Sequence, residues 1–216
     1  LHAFRKIGAS ERGVGRMSAQ YSSDVAFSPA VKAVQTQKGS RDGYAKMEQK
    51  GGWRTAVGDD LAAFIAERDS FYLATASAHG QPSLQHRGGP KGFLKVLDEG
   101  TLAFADFAGN RQYISVGNLT ENDRVSLFLI DYPNRRRIKI WGRAHVVDDD
   151  LELLQSLADA DYKAPVEAAI VISVEAWDIN CSKHIAQRYT DDQIVDLLRP
   201  LQARIDELEA ELASLR

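Results

Sequence analysis

Hydrophobic and polar positions change period twice along this chain. Residues 28–50 carry helical spacing in two short runs. Ser28 and Pro29 suit an N-cap and first helical position, Gly39 a stop, and Ser40 opens a second segment ending at Gly51-Gly52. A third helix is predicted from a cap at Asp59 or Asp60, with Leu61, Phe64 and Ile65 on one face. Residues 1–16 are basic and Gly-rich with no apolar period, and are expected to form a flexible leader, with Met17 a candidate start.

From residue 71 the period shortens to that of strands. FYLATAS (71–77) is followed by a turn in which Gly80 needs a positive φ, then by PSLQHR (82–87) at hairpin distance. FLKVL (93–97), TLAFAD (101–106), RVSLFLI (124–130), RIKIWGRAHVV (137–147) and AAIVISVEAW (168–177) follow, with helices predicted near 110–119 and 149–158. This pattern predicts a β-rich α+β fold, a small antiparallel β-barrel of six or so strands with peripheral helices. The strict βαβ alternation of a doubly wound sheet is absent.

The end of the chain has a third period. Ile194, Leu198, Leu201, Ile205, Leu208, Leu212 and Leu215 step alternately by four and three, a heptad seam opened by a Thr190/Gln193 capping box. Pro200 predicts a kink or break within it. The seam either packs on its own barrel or pairs with a second copy. Parallel helices would match Arg204 with Glu209 and Glu211 with Arg216, while antiparallel ones would match Arg204 with Glu211, so charge leaves the direction open. The organisation is read as a leader (1–16), a helical segment (17–58), a barrel domain (59–189) and a C-terminal heptad helix (190–216).

Composition narrows the function. With 44% hydrophobic and 26% charged residues the 216-residue chain is globular. Lys plus Arg number 27 against 30 for Asp plus Glu, a net charge of -3, which argues against a nucleic-acid partner. Cys181 stands alone, excluding an internal disulfide framework or a multi-cysteine zinc site, and the five histidines show no HExxH spacing. No apolar run is long enough to span a bilayer, so no membrane partner is expected and the cytoplasm is the expected address.

Walker, GxGxxG-after-strand and GxSxG patterns are all missing. Two loops concentrate polar and glycine residues instead. QHRGGPKGF (85–93) offers His86, Arg87 and Gly88, with Lys95 on the strand that follows. A Gly-rich turn lets backbone N–H groups approach a flat or phosphorylated ligand. DFAGNRQ (106–112) leads from a strand into a helix and places Asn110 and Arg111 where free N–H donors favour phosphate.

These residues carry a resemblance. From Asp60 to about Val147, the runs FYLATASAHGQP, FLKVLDEGTLAFADFAGNR, NLTENDRVSLFLID and IKIWGRAHVV resemble the pyridoxamine 5′-phosphate oxidase-like family of FMN-binding split barrels. AWDINCSKHIAQRY (176–189) and HRGGP are similar to a bacterial FMN-binding subgroup. The resemblance implies FMN as cofactor, its phosphate and ribityl chain held by the strand of Lys95 and the loop of Arg111, with the backbone at Ala105 and Asp106 bordering the flavin. It also implies a homodimer with the flavin between subunits. The runs TLAFADF and VSLFLI, apolar at most positions, give a separate reason to expect a partner barrel covering a second face.

Departures from the authentic oxidase are specific. Gln112 stands where a lysine follows the phosphate arginine, and Arg137 where a glutamine faces the flavin. Gln155, Asp159 and Lys163 replace the residues that grip the vitamin phosphate. The resemblance therefore implies a flavin site, comprising His86, Arg87, Gly88, Lys95, Ala105, Asp106, Asn110, Arg111, Gln112 and Arg137, without the vitamin site. Arg137 is the candidate cation beside the reduced flavin's anionic edge. Two functions remain open: an oxidoreductase acting on a small organic substrate with a possible nicotinamide donor, and a flavin-binding or redox-sensing module without turnover. Haem on the same barrel is a third reading for which no axial ligand is evident.

Overall fold

Ser28 accepts a hydrogen bond from the Val31 N–H at 3.3 Å and so caps α1 (Pro29–Gln37), whose first residue is the expected proline. The computed structural model describes residues 20–215; the expected leader and Met17 lie outside them. Gly39 takes φ 76° after α1, and α2 (Arg41–Gln49) follows. The two helices and a 3₁₀ turn (Ser22–Val25) belong to a compact unit ending at Gly52. Buried Glu48 is its polar centre: it accepts from Ser23 Oγ at 3.0 Å, pairs with Arg41, and lies 3.5 Å from Lys32 Nζ.

The second unit begins at Trp53. Here α3 (Asp59–Ala66) buries Leu61, Phe64 and Ile65, the face expected from their spacing. The strands are β1 (Ser70–Ala76), β2 (Pro82–Gly88), β3 (Lys95–Asp98) and β4 (Thr101–Phe107). After α4 (Ile114–Glu121) come β5 (Arg124–Asp131), β6 (Arg136–Val147), α5 (Leu151–Leu157) and β7 (Val166–Asn180). The long helix α6 (Asp191–Ser214) ends the chain.

Strand count is the first correction. The sheet has seven strands, not six, in the order β2-β1-β5-β6-β7-β4-β3, with every pairing antiparallel. The sheet stays open, with β2 and β3 as its edges. Alternation sets the inner face: Phe71 and Leu73 of β1, Leu127 and Leu129 of β5, and Ile138 and Ile140 of β6 are all at most 1% exposed. Each such side chain contributes roughly 1.5–3 kcal/mol by leaving water. Gly142 sits at an irregularity in the β6–β7 register, where a Cβ would lie 2.3 Å from the Ser173 carbonyl oxygen.

A second correction concerns β4, buried along five consecutive residues. Its second face is covered from within the chain, because Ala103, Ala105 and Ala169 cluster with Leu157 of α5. A partner is not needed there. Pro200 also fails to break α6, which runs from the Thr190/Gln193 capping box through to Ser214. Among the described residues no helix is long and apolar enough to cross a membrane.

Candidate functional site

Two strand periods place the site. Along β2, Gln85 and Arg87 fall opposite Leu73 and Phe71 and share the inner face, whereas His86 falls opposite Tyr72 and meets its ring edge-on, 5.6 Å away. The inner side chains of β2 reach across the opening of the sheet to β4. Arg87 Nη1 donates to Asp106 Oδ1 at 2.6 Å, and Nη2 to Gln85 Oε1 at 3.1 Å. Ser115 Oγ at the start of α4 donates to the same Gln85 oxygen at 2.5 Å. The Arg87 guanidinium also lies over the Phe104 ring, 5.8 Å from its centre. Its Nε is buried and has no partner.

The chain of polar groups floors a cleft of about 310 Å³ between β2 and β4, walled by Phe93, Phe104 and Phe107. This volume falls in the usual range of about 300–1,000 Å³ for small-molecule sites. Gly89 keeps Phe93 in place, because a Cβ there would come within 2.7 Å of the Phe93 ring. A smaller depression continues the cleft past Gly109 and Asn110 to Arg111, Tyr113, Ser115 and Glu167.

Its rim is built from unusual backbone. Arg111 and Tyr113 hold φ values of 58° and 52°, a left-handed conformation that costs non-glycine residues of order 1–3 kcal/mol each. Between them, the Gln112 N–H donates to Asn110 Oδ1 at 3.2 Å. Tyr113 occupies the N-cap of α4 without making a side-chain cap, so the helix opens onto the rim with its first amides uncapped. Arg111 is well exposed and only loosely paired, 3.7 Å from Glu167. Burial pushes the Asp106 carboxyl above its ordinary pKa, Arg87 pulls it down, and Glu167 adds to the rise.

The cleft brings together His86, Arg87, Gly88, Ala105, Asp106 and Asn110, and its extension adds Arg111. Lys95, opposite Ala103 on β3, does not line it, and neither does exposed Gln112. Arg137 is opposite Ile130 and Asn180 on β6 and shares the outer face with Lys139 and Trp141. Sequence reading missed Gln85, although its two-residue offset from Arg87 puts both on one strand face. Glu167 had no local signal, since only the β4–β7 register brings it near Asp106.

A family model described as pyridoxamine 5′-phosphate oxidase matches residues 57–181. The chain belongs to the pyridoxamine 5′-phosphate oxidase family. The match includes both sides of the cleft and leaves α1, α2 and α6 outside. No curated protein matches the chain. Among solved structures, an FMN-binding protein from Syntrophomonas wolfei is 14% identical, with coverage of 68% of this chain and 97% of that one and a TM-score of 0.48. A Clostridium acetobutylicum protein related to general stress protein 26 is 14% identical, covering 62% and 94%, with a TM-score of 0.43. The heme storage protein of Vibrio cholerae is 18% identical, covering 57% and 94%, with a TM-score of 0.39.

Proposed function

We propose that this chain is an FMN-binding flavoprotein that holds the cofactor in the cleft between β2 and β4. We assign it the transfer of hydride or electrons to or from a small organic substrate. The observation that carries this reading is Arg87: a guanidinium fixed by Asp106 and Gln85 at the cleft floor, with one buried Nε–H unspent. A buried donor without a partner costs about 1–3 kcal/mol, which a ligand acceptor would recover.

The remaining donors suit a flavin mononucleotide. The uncapped amides of α4 and the loosely paired Arg111 offer an anion site at one end of the cleft. Phe93, Phe104 and Phe107 offer apolar walls for a flat ring system. When bound, the isoalloxazine would supply the redox chemistry, and the protein orientation and electrostatics. Asp106 balances the Arg87 charge, which leaves Arg111 and the helix amides to meet the phosphate.

A homodimer belongs to the same proposal. Across five strands the register aligns His86, Tyr72, Phe128, Lys139 and Asp178 on the outer face, with Leu84 two-thirds exposed beside them. A sheet face that carries the rings of Tyr72 and Phe128 beside an exposed Leu84 suits a second copy. Arg137 stands on it, so its approach to a flavin would be to the one held by that second copy.

Mass spectrometry of ligand released from purified protein tests the cofactor. Stoichiometric FMN is expected, and FAD or haem would overturn the reading. Anaerobic reduction then tests turnover: rapid bleaching by NADH or NADPH supports the enzyme, while reduction by dithionite alone indicates a carrier. Light scattering at micromolar concentration should give a dimer, and a monomer retaining FMN would refute the shared site.

A further inference from the structure

The helix α6 is a 24-residue rod in which no residue is buried, about 36 Å long at 1.5 Å per residue. Its apolar seam is open throughout, from 42% exposure at Leu208 to 82% at Leu215. A lone helix carrying an internal proline is marginal in water, so the seam calls for a partner. We propose that α6 forms a parallel two-stranded coiled coil with α6 of a second copy of this chain.

Heptad positions carry the choice of occupant. Leu198, Ile205 and Leu212 take the a positions, and Ile194, Leu201, Leu208 and Leu215 the d positions. The central layers, Ile205 at a between Leu201 and Leu208 at d, have the pattern that favours two strands. Pro200 falls at c, on the outer side, and does not intrude on the seam. In the parallel register, Arg204 at g faces Glu209 at e of the other helix. Glu211 likewise faces Arg216, which lies beyond the described residues. The present contact of Arg204, with Glu207 at 2.8 Å, is exposed and weakly held.

An antiparallel pair can set Arg204 against Glu211. It would leave Glu209 facing Gln202, without a cation. The parallel pair doubles the complementary charge contacts.

Cysteine scanning of the full chain in a Cys181→Ser background tests this. Under a glutathione redox buffer, Leu201→Cys should give disulfide-linked dimers as the main species on a non-reducing gel. Ala203→Cys, at the outward f position, should remain largely uncrosslinked. Crosslinking of Leu201→Cys no greater than that of Ala203→Cys would overturn the coiled coil. Preferential crosslinking between mixed Leu201→Cys and Leu212→Cys chains would overturn the parallel direction. Both readouts are independent of flavin content, so this proposal and the flavin reading fail separately.

Discussion

Arg87 of β2 and Asp106 of β4 meet at 2.6 Å although their strands share no hydrogen-bonded ladder. Their ion pair ties an edge of the sheet to the far side of its opening, and both side chains are largely buried. Truncation of one partner leaves the other charge uncompensated. Arg87→Met should therefore cost about 3 kcal/mol of stability, in the range for broken buried pairs, while Arg87→Lys should lose the contact to Gln85 and cost less. Urea unfolding measures both; a loss for Arg87→Met below about 0.5 kcal/mol would place the pair among surface bridges.

Asp106 makes stability depend on pH in a defined direction. Burial raises its folded pKa above the unfolded value, so the folded chain binds the proton more tightly. This contribution is fully present below the ordinary carboxylate value and is lost as pH rises through the raised one. In that window Asp106→Asn should show a flatter fall of unfolding free energy with pH than the parent. Identical slopes in denaturant titrations across the window would show that Asp106 does not carry the effect.

Arginines in the two loops should separate by location. Arg111→Ala removes a cation beside the uncapped start of α4 and should weaken FMN binding roughly 10-fold, the equivalent of about 1.5 kcal/mol. Arg135→Ala should change it little, because Arg135 is engaged with Gln187 at 2.8 Å and does not line the cleft. Fluorescence titration of apoprotein with FMN compares them. Equal affinities for the parent and Arg111→Ala would put the phosphate elsewhere.

Gly142→Ala should be the most damaging single-methyl change in the sheet. The added carbon would press on the backbone oxygen of Ser173 at 2.3 Å, and neither chain segment is a flexible side-chain end. A loss above about 2 kcal/mol is expected from such overpacking. Thermal unfolding would read it as a clear drop in Tm; an unchanged Tm would mean the strands can part there at no cost.

Where local period and capping govern, the sequence was legible. Leu61, Phe64 and Ile65 are buried on the one face of α3 that their spacing predicts, Gly80 takes φ 84°, and Thr190 and Gln193 cap α6 reciprocally. Non-local partners were less visible. The two-sided apolar character of β4 was legible, but its cover is α5, which packs Leu157 onto Ala103 and Ala105. Likewise the polar density near Arg87 and Arg111 was visible, while the carboxylates that hold them, Asp106 and Glu167, were paired by sheet register. At Pro200 the helix continues despite the lost hydrogen bond, so the alternative of a break is the one that fails.

The covering of β4 by α5 separates what dilution can change from what it cannot. Floor and far wall of the cleft are made by a single chain and held by unimolecular contacts, so their integrity is independent of protein concentration. Anything contributed across the outer face by a second copy obeys mass action instead. A concentration series therefore acts as a dissection. Loss of ligand on dilution with unchanged chain stability would isolate the second copy's share of the binding energy.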